Sequence, residues 1–371
     1  MSDASVPAPQ GPPGIAPQPV RTTAQTAQPT VVVQSGSGGW MWRLFAFLGW
    51  AAFCFVTLLA LAQFLAFRDY FDTTQGITEK FHSGEMFGTE KIAIVSIEGL
   101  IADGDGFPKA QIDQIRQDKN VKALVVRVDS PGGTVTASDY IYHHLKRLRE
   151  ERQLPLVVSM GGIAASGGYY ISMAVGDQEQ TIFAEPTSTT GSIGVMFPHY
   201  DLSGLLARFD IRDDSIVTHP LKELGSMTKP MPEEHRKLLQ SYIDESFDRF
   251  KAIVKEGRPK FRADPQALDA LATGEIFSAN RALSHGLIDK IGFLEEAIER
   301  ATELAGLSKD EVRVVEYEQP ASLFNLAGVA QSPVGRSSPL DWPRVLDLAT
   351  PRAYYLATSW PPLLSTYSRL W

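Results

Sequence analysis

The chain has 371 residues, enough for one or two domains, and its 44% hydrophobic and 21% charged residues are an ordinary globular balance. The net charge of −8 argues against a general nucleic-acid binder, which shows a basic face. The one cysteine, Cys54, excludes an intramolecular disulfide framework and any cysteine-clustered zinc site.

Residues 1–39 are rich in Pro, Gln, Thr, Ser and Gly and carry no core-forming pattern, so they read as a disordered tail. Residues 40–70 hold the run LFAFLGWAAFCFVTLLALAQFLAF (44–67), which has no charged residue. At about 1.5 Å per residue this run is long enough to cross a hydrocarbon core of about 30 Å. Trp42 and Tyr70 suit the two interfaces, and Arg43 and Arg68 bracket the span. The long polar leader and the length of the run set it apart from a secretory signal peptide. The lack of a polar face sets it apart from a core helix. Flanking charges do not orient it, because Arg43 on one side faces Arg68 and Lys80 on the other.

Residues 71–88 read as a stalk. From 89 to 317, strand and helix signals alternate. IAIVSI (92–97), ALVVRV (123–128) and LPLVVSM (154–160) are buried-type strands. PKAQIDQIRQDKN suits a helix between the first two. SDYIYHHLKRLREERQ suits the next, with Ile141, Leu145 and Leu148 on one face. This βαβ rhythm predicts one α/β domain with a mainly parallel, helix-covered sheet. TIFA (181–184) fits a short strand. Residues 232–257 form a long amphipathic helix with Leu239, Ile243, Phe247, Phe250 and Val254 near one stripe. Residues 318–371 are irregular, apolar and Pro-rich, and suit packing on the domain, on a partner subunit or on lipid.

Two Gly-rich turns follow buried strands: Asp129-Ser130-Pro131-Gly132-Gly133, and Gly161 through Gly168 with Ser166 inside it. In an open parallel sheet such turns lie where ligands bind. Glycines let backbone N–H groups come close to a ligand, and a helix start adds unpaired N–H groups, so the two turns together suit an oxyanion hole. Either turn alone is better read as a tight turn and nothing more. Neither matches a phosphate loop, and no dinucleotide fingerprint follows a strand, so no cofactor is expected. Ser166 is the natural nucleophile at a strand-to-helix turn. Its frame, Ala164-Ala165-Ser166-Gly167-Gly168, narrowly misses G-x-S-x-G. His199, His219, His235 and His285 all follow Ser166, so composition leaves a triad open.

These segments resemble the signal peptide peptidase A (protease IV) family in its short, single-repeat form. The resemblance rests on VDSPGGTVTASDYIY (128–142), GGIAASGGYYISMA (161–174), TTGSIGV (189–195), HPLKELGSMTKPMPEEHRKLLQSYID (219–244) and GEIFSANRALSHGLIDKIG (274–292), in the family's order. It implies a ClpP/crotonase-type spiral of ββα units preceded by one transmembrane helix. It also implies roles: Ser166 as nucleophile, Lys222 as general base, Ser192 holding that lysine, and the N–H groups of Gly133 and Gly167 as the oxyanion hole. Two departures stand out. VGDQEQTIFAEP (175–186) is longer than the family's usual stretch, and Glu223 follows the lysine where Asp is common.

A lysine base is physically demanding. Free Lys titrates near 10.4, so neutrality at pH 7 needs roughly 4–5 kcal/mol of destabilisation of the charged form. Lys222 is therefore expected to be desolvated beside Ser166. Without the resemblance, Lys222 reads as an exposed loop lysine with Lys229 and Lys237 as equal rivals.

The resemblance further implies a serine endopeptidase in a bacterial inner membrane, held by residues 44–67, with its catalytic domain outside the cytoplasm. Its substrates would be remnant signal peptides and other unfolded apolar peptides. With room for one catalytic unit, a ring-like homo-oligomer is implied to complete the groove, and no nucleic acid is involved. The rivals are a catalytically silent peptide-binding scaffold and a crotonase-type acyl-CoA enzyme, which needs no nucleophile.

Overall fold

The computed structural model describes residues 39–71, 76–319 and 353–356. The expected disordered tail over 1–38 and most of 318–371 lie outside the described residues. Contacts divide the chain near Leu65 into an N-terminal unit and a larger C-terminal unit.

The described part of the first unit is helical. Helix α1 (Gly39–Phe71) contains a stretch, Gly39–Phe64, that is long and apolar enough to cross a membrane, with a mean hydropathy of 2.3.

The second unit alternates strands and helices as the sequence predicts. β1 (Thr78–Gly84) and β2 (Glu90–Glu98) precede α2 (Phe107–Gln117). β3 (Val121–Ser130) and the short β4 (Gly132–Thr134) lead into α3 (Val135–Arg152). β5 (Leu156–Ala165) runs into α4 (Gly167–Ser172), followed by β6 (Ile182–Ala184) and β7 (Thr189–Gly191). Next come α5 (Ser203–Arg208), a 3-10 turn (Pro220–Glu223), α6 (Glu233–Gly257), α7 (Lys260–Ala263) and α8 (Pro265–Leu271). β8 (Ile276–Ser278), α9 (Ala279–His285), β9 (Lys290–Ile291), α10 (Leu294–Leu304) and β10 (Val312–Glu318) follow, and β11 is Tyr354–Leu356.

The main sheet has the order β1-β10-β2-β3-β5-β6-β9, with β7 beside β5 and β8 beside β7. β1 with β10 and β7 with β8 are antiparallel, and the other neighbours are parallel. Both faces are covered, which is why the central strands read as continuous apolar runs. Leu124, Val126 and Val128 of β3 enter the larger core, with Ile141, Leu145 and Leu148 of α3. Their alternates Ala123 and Val125 meet Ala297 and Ala301 of α10 on the other face.

The stretch expected to be a stalk is corrected over Thr78–Gly84. It forms β1, whose mostly exposed residues pair with β10 at the sheet edge. A charged, solvated edge strand pairs through its backbone and leaves no apolar alternation to read. In α6, Phe250 and Val254 are buried as the stripe predicts, but Leu239, Ile243 and Phe247 are only half-buried.

Candidate active site

The site is built where β3, β5 and β7 end. β5 is pinned first. Asp129 Oδ1 accepts from Ile163 N at 3.1 Å, holding the Gly161–Gly162 bend against β3. Beyond the bend, Ala165 pairs with Gly191 of β7, and Ser166 N donates to Gly191 O at 2.7 Å.

Ser166 then caps α4 with φ 55° and ψ −112°. Positive φ is uncommon for a residue with a Cβ, and such backbone costs of order 1–3 kcal/mol. Its hydroxyl is fully buried and has no hydrogen-bond partner among the described residues. A buried, unsatisfied hydroxyl costs about 1–3 kcal/mol more. None of His199, His219, His235 or His285 bonds to it. His199 Nε2 meets Ser226 O at 3.0 Å, His219 Nδ1 accepts from Leu221 N at 3.2 Å, and His285 lies edge-on to Phe277. The triad that composition left open is not formed here.

The two Gly-rich turns meet. Gly132 has φ 103°, which favours glycine, and its N–H is taken by Ser130 Oγ at 3.1 Å. Ile101 N donates to Gly132 O and Thr134 N to Ile101 O, both at 2.9 Å. Gly133 therefore turns its own N–H to the opposite edge of β4. A Cβ on Gly133 would overlap the Ile101 backbone. A Cβ on Gly167 would fall 3.1 Å from Gly133 N and would overlap Ser138 Oγ. Gly133 and Gly167, at the first position of α4, thus lie side by side next to Ser166. Ser138 is a site residue that sequence reasoning missed. Its hydroxyl donates to Thr134 O at 2.9 Å within α3, a local bond with no sequence signature.

Ser192 follows Gly191 directly, with φ 52°, and its N donates to Glu275 O at 2.7 Å. A cavity of about 390 Å³ opens beside it, walled by Met196, Ile243, Phe247 and Thr273.

Among the described residues, Lys222 makes no hydrogen bond to this cluster. It sits on the 3-10 turn Pro220–Glu223, is exposed, and makes no side-chain hydrogen bond or ion pair among the described residues. The expectation of a buried lysine beside Ser166 is corrected for the single chain: the turn projects into solvent, so the chain's own fold does not desolvate it. Of its rivals, Lys229 is engaged by Glu223 at 2.6 Å, and that hydrogen bond, despite some burial, holds its pKa above the ordinary lysine value. A lysine stabilised in its charged form is a poor base. Lys237 points outward from α6.

Behind α4, burial and a hydrogen bond to Asp139 push the Tyr170 phenol well above its ordinary pKa. Asp139 also accepts from Arg249 at 3.0 Å. This tie fixes α4 against α3 and α6.

The profile of peptidase family S49 matches residues 149–308. Protease 4 of Salmonella typhi is 36% identical over 226 residues, which make up 59% of this chain and 35% of that protein, so the chain spans about a third of its length. A Synechocystis sp. protein described as a protease is 36% identical over 234 residues, 63% of this chain and 81% of that one. An Enterococcus faecium protein described as the signal peptide peptidase SppA is 32% identical over 252 residues, 65% of this chain and 70% of that one. Matched by the family profile and across most of the length of two of these relatives, the chain belongs to peptidase family S49, and its mixed, mainly parallel sheet is that family's ClpP-like fold.

Proposed function

We propose that this chain is a membrane-anchored serine endopeptidase in which Ser166 attacks the peptide carbonyl and Lys222 is the base. The observation that carries this reading is the Ser166 hydroxyl: buried, unpartnered, on strained backbone, and next to the N–H groups of Gly133 and Gly167. A folding role asks for none of these features, and each costs stability.

Neutral Lys222 takes the Ser166 proton as the oxygen adds to the carbonyl carbon. Gly133 and Gly167 N–H groups hold the oxyanion. Protonated Lys222 gives its proton to the leaving amine, and water cleaves the acyl ester by the same route. Ser192 orients the lysine.

An exposed lysine becomes a base only after desolvation, and assembly supplies that. The segment carrying Lys222 also exposes Phe209, Ile216 and Leu221, apolar surface of the kind that subunits cover. A ring-like homo-oligomer packs this segment and completes the groove. Cross-linking in detergent tests this; a strictly monomeric active enzyme contradicts it.

Helix α1 anchors the protein in a bacterial inner membrane with the catalytic domain outside the cytoplasm. There it meets remnant signal peptides and unfolded apolar segments. The deciding experiment is fluorophosphonate labelling of the full chain in detergent, with peptide mapping. Label on Ser166, lost in Ser166→Ala together with peptide cleavage, supports the reading. Cleavage retained in Ser166→Ala ends it. An acyl-CoA enzyme or a silent scaffold would take no label at Ser166.

A further inference from the structure

We propose that Ser138 is the positioning residue of the oxyanion hole: its hydroxyl sets the spacing between the Gly133 and Gly167 N–H groups. This rests on the peptidase reading above and adds to it a residue that acts through the two glycines.

The two donors stand on different elements, so no local geometry fixes the distance between them. Gly133 belongs to β4, and Gly167 opens α4. An oxyanion hole works only when both N–H groups come within about 2.7–3.1 Å of one oxygen. Something must therefore register α4 against β4.

Ser138 touches both sides of that junction. It is fully buried in the first turn of α3, the helix that follows β4 directly. Its Oγ donates to Thr134 O at 2.9 Å, and Thr134 is the residue after Gly133. Thr134 is held at two more points: its N donates to Ile101 O at 2.9 Å, and its Oγ1 accepts from Ala137 N at 3.2 Å. The other side of the Ser138 hydroxyl faces α4. A Cβ on Gly167 would overlap Ser138 Oγ, so no side chain fits between them. The same Cβ would stand 3.1 Å from Gly133 N, and one on Gly132 would stand 2.7 Å from Gly167 N. The hydroxyl and both donors are thus packed around one junction.

The bond to Thr134 makes this hydroxyl a fixed stop. A hydroxyl bonded to the carbonyl four residues earlier is ordinary in a helix. Thr302 Oγ1 donates to Ile298 O in the same way at 2.8 Å in α10, on the other face of the sheet. What sets Ser138 apart is the glycine its oxygen abuts. The bond selects one rotamer, so the oxygen does not swing away from Gly167. The next residue of α3, Asp139, bonds the Tyr170 hydroxyl. Adjacent residues of α3 therefore hold α4 at its start and farther along. Helix α4 has six residues, too few for its own bonds to make it rigid, so such contacts decide where its first N–H points.

Alanine at 138 removes the stop and leaves a gap one oxygen wide. The start of α4 then settles toward α3, and the Gly167 N–H moves relative to that of Gly133. The loss falls on the tetrahedral state, which alone needs both donors at once, and so on kcat more than on KM.

The test uses the full-length chain in detergent. Peptide turnover is measured beside inhibition by a peptide aldehyde, whose hemiacetal with Ser166 puts its oxygen in the hole, and by the matching alcohol, which forms no adduct. Ser138→Ala is expected to lower kcat at least about tenfold with KM within about twofold. It is expected to weaken the aldehyde at least about tenfold and the alcohol less than about twofold. Thr302→Val removes a bond of the same kind away from the site and is expected to change none of these. Gly167→Ala sets a methyl group against the Ser138 oxygen, so removing that oxygen makes room for it. The double variant Ser138→Ala/Gly167→Ala is therefore expected to be at least about fivefold more active than Gly167→Ala alone. Unchanged kcat and aldehyde affinity in Ser138→Ala, equal loss of aldehyde and alcohol, a double variant no better than Gly167→Ala, or a Ser138→Ala chain that no longer folds would each overturn the inference. Wild-type cleavage would leave the peptidase reading standing in all four cases. A wild-type chain that neither cleaves peptide nor takes label at Ser166 overturns both.

Discussion

Ser166 and Ser192 leave adjacent parallel strands at the same register, because Ala165 of β5 pairs with Gly191 of β7, and both do so with positive φ, 55° and 52°. Two strained serines side by side at the carboxyl edge of a sheet are costly as architecture. The proposed mechanism uses both of them, at the sheet edge where ligands bind in such folds.

The strain at Ser166 makes a stability prediction. Ser166→Gly removes a Cβ from disfavoured backbone and a buried hydroxyl with no partner, against the added chain entropy of glycine. The expected net gain is about 1 kcal/mol, with loss of peptide cleavage. Denaturant melts beside a peptide assay check both halves; a less stable variant would mean that the hydroxyl is satisfied in the folded protein.

The second Gly-rich turn holds its own control. A Cβ on Gly162 meets nothing nearer than Asp129 Oδ1 at 3.7 Å, whereas one on Gly167 overlaps Ser138 Oγ. Gly162→Ala is expected to keep activity within about threefold, and Gly167→Ala to lose on the order of a hundredfold in kcat/KM by displacing a donor. Steady-state kinetics on the two variants settles this, and equal losses would show that the turn matters only as a turn.

Lys222 and Lys229 lie in the same loop yet are expected to behave oppositely. Lys222→Met, at a position exposed in the single chain, keeps the chain folded and cuts activity by at least about a hundredfold. Lys229→Met removes the partner of Glu223 and leaves cleavage within a few-fold. Activity surviving in Lys222→Met removes it as the base.

Lys91 predicts an acid response. Buried at 8% exposure, it pairs with Glu79 of β1 at 2.7 Å and with Asp118, just past α2, at 2.8 Å. Burial alone would raise the Asp118 pKa, but Lys91, the Asn120 N–H and Arg152 hold it below the ordinary carboxylate value. A carboxylate with a lowered folded pKa stabilises the protein above about pH 4, and that contribution is lost as pH falls through the folded value. Lys91→Met is expected to cost about 2–3 kcal/mol at pH 7 and to flatten the loss below pH 4, measured as melts against pH. An unchanged acid limb would mean that other carboxylates govern it.

The strands ALVVRV and LPLVVSM, the α3 stripe of Ile141, Leu145 and Leu148, and the apolar run inside α1 were all legible in the sequence, because burial on a regular element imposes a period on the residues themselves. Ser166 and the two glycine turns were legible for a related reason: tight strand-to-helix turns require small residues. β1 was not, since an edge strand pairs through backbone atoms that every residue has. Nor was the position of Tyr354–Leu356, which begins 36 residues after Glu318 ends β10 and yet pairs with β4, because pairing between distant strands depends on register and free edges, not on local pattern. Lys222 shows the division most clearly. Its motif marks it as the base by resemblance, while its exposure was decided by the fold, because desolvation comes from whatever packs around a side chain in three dimensions. For Ser166, the sequence by itself determined that a serine stands at a strand-to-helix turn. The tertiary structure decided that its hydroxyl is buried without a partner among the described residues, that Ser192 lies at its side, and that Gly133 stands beside Gly167.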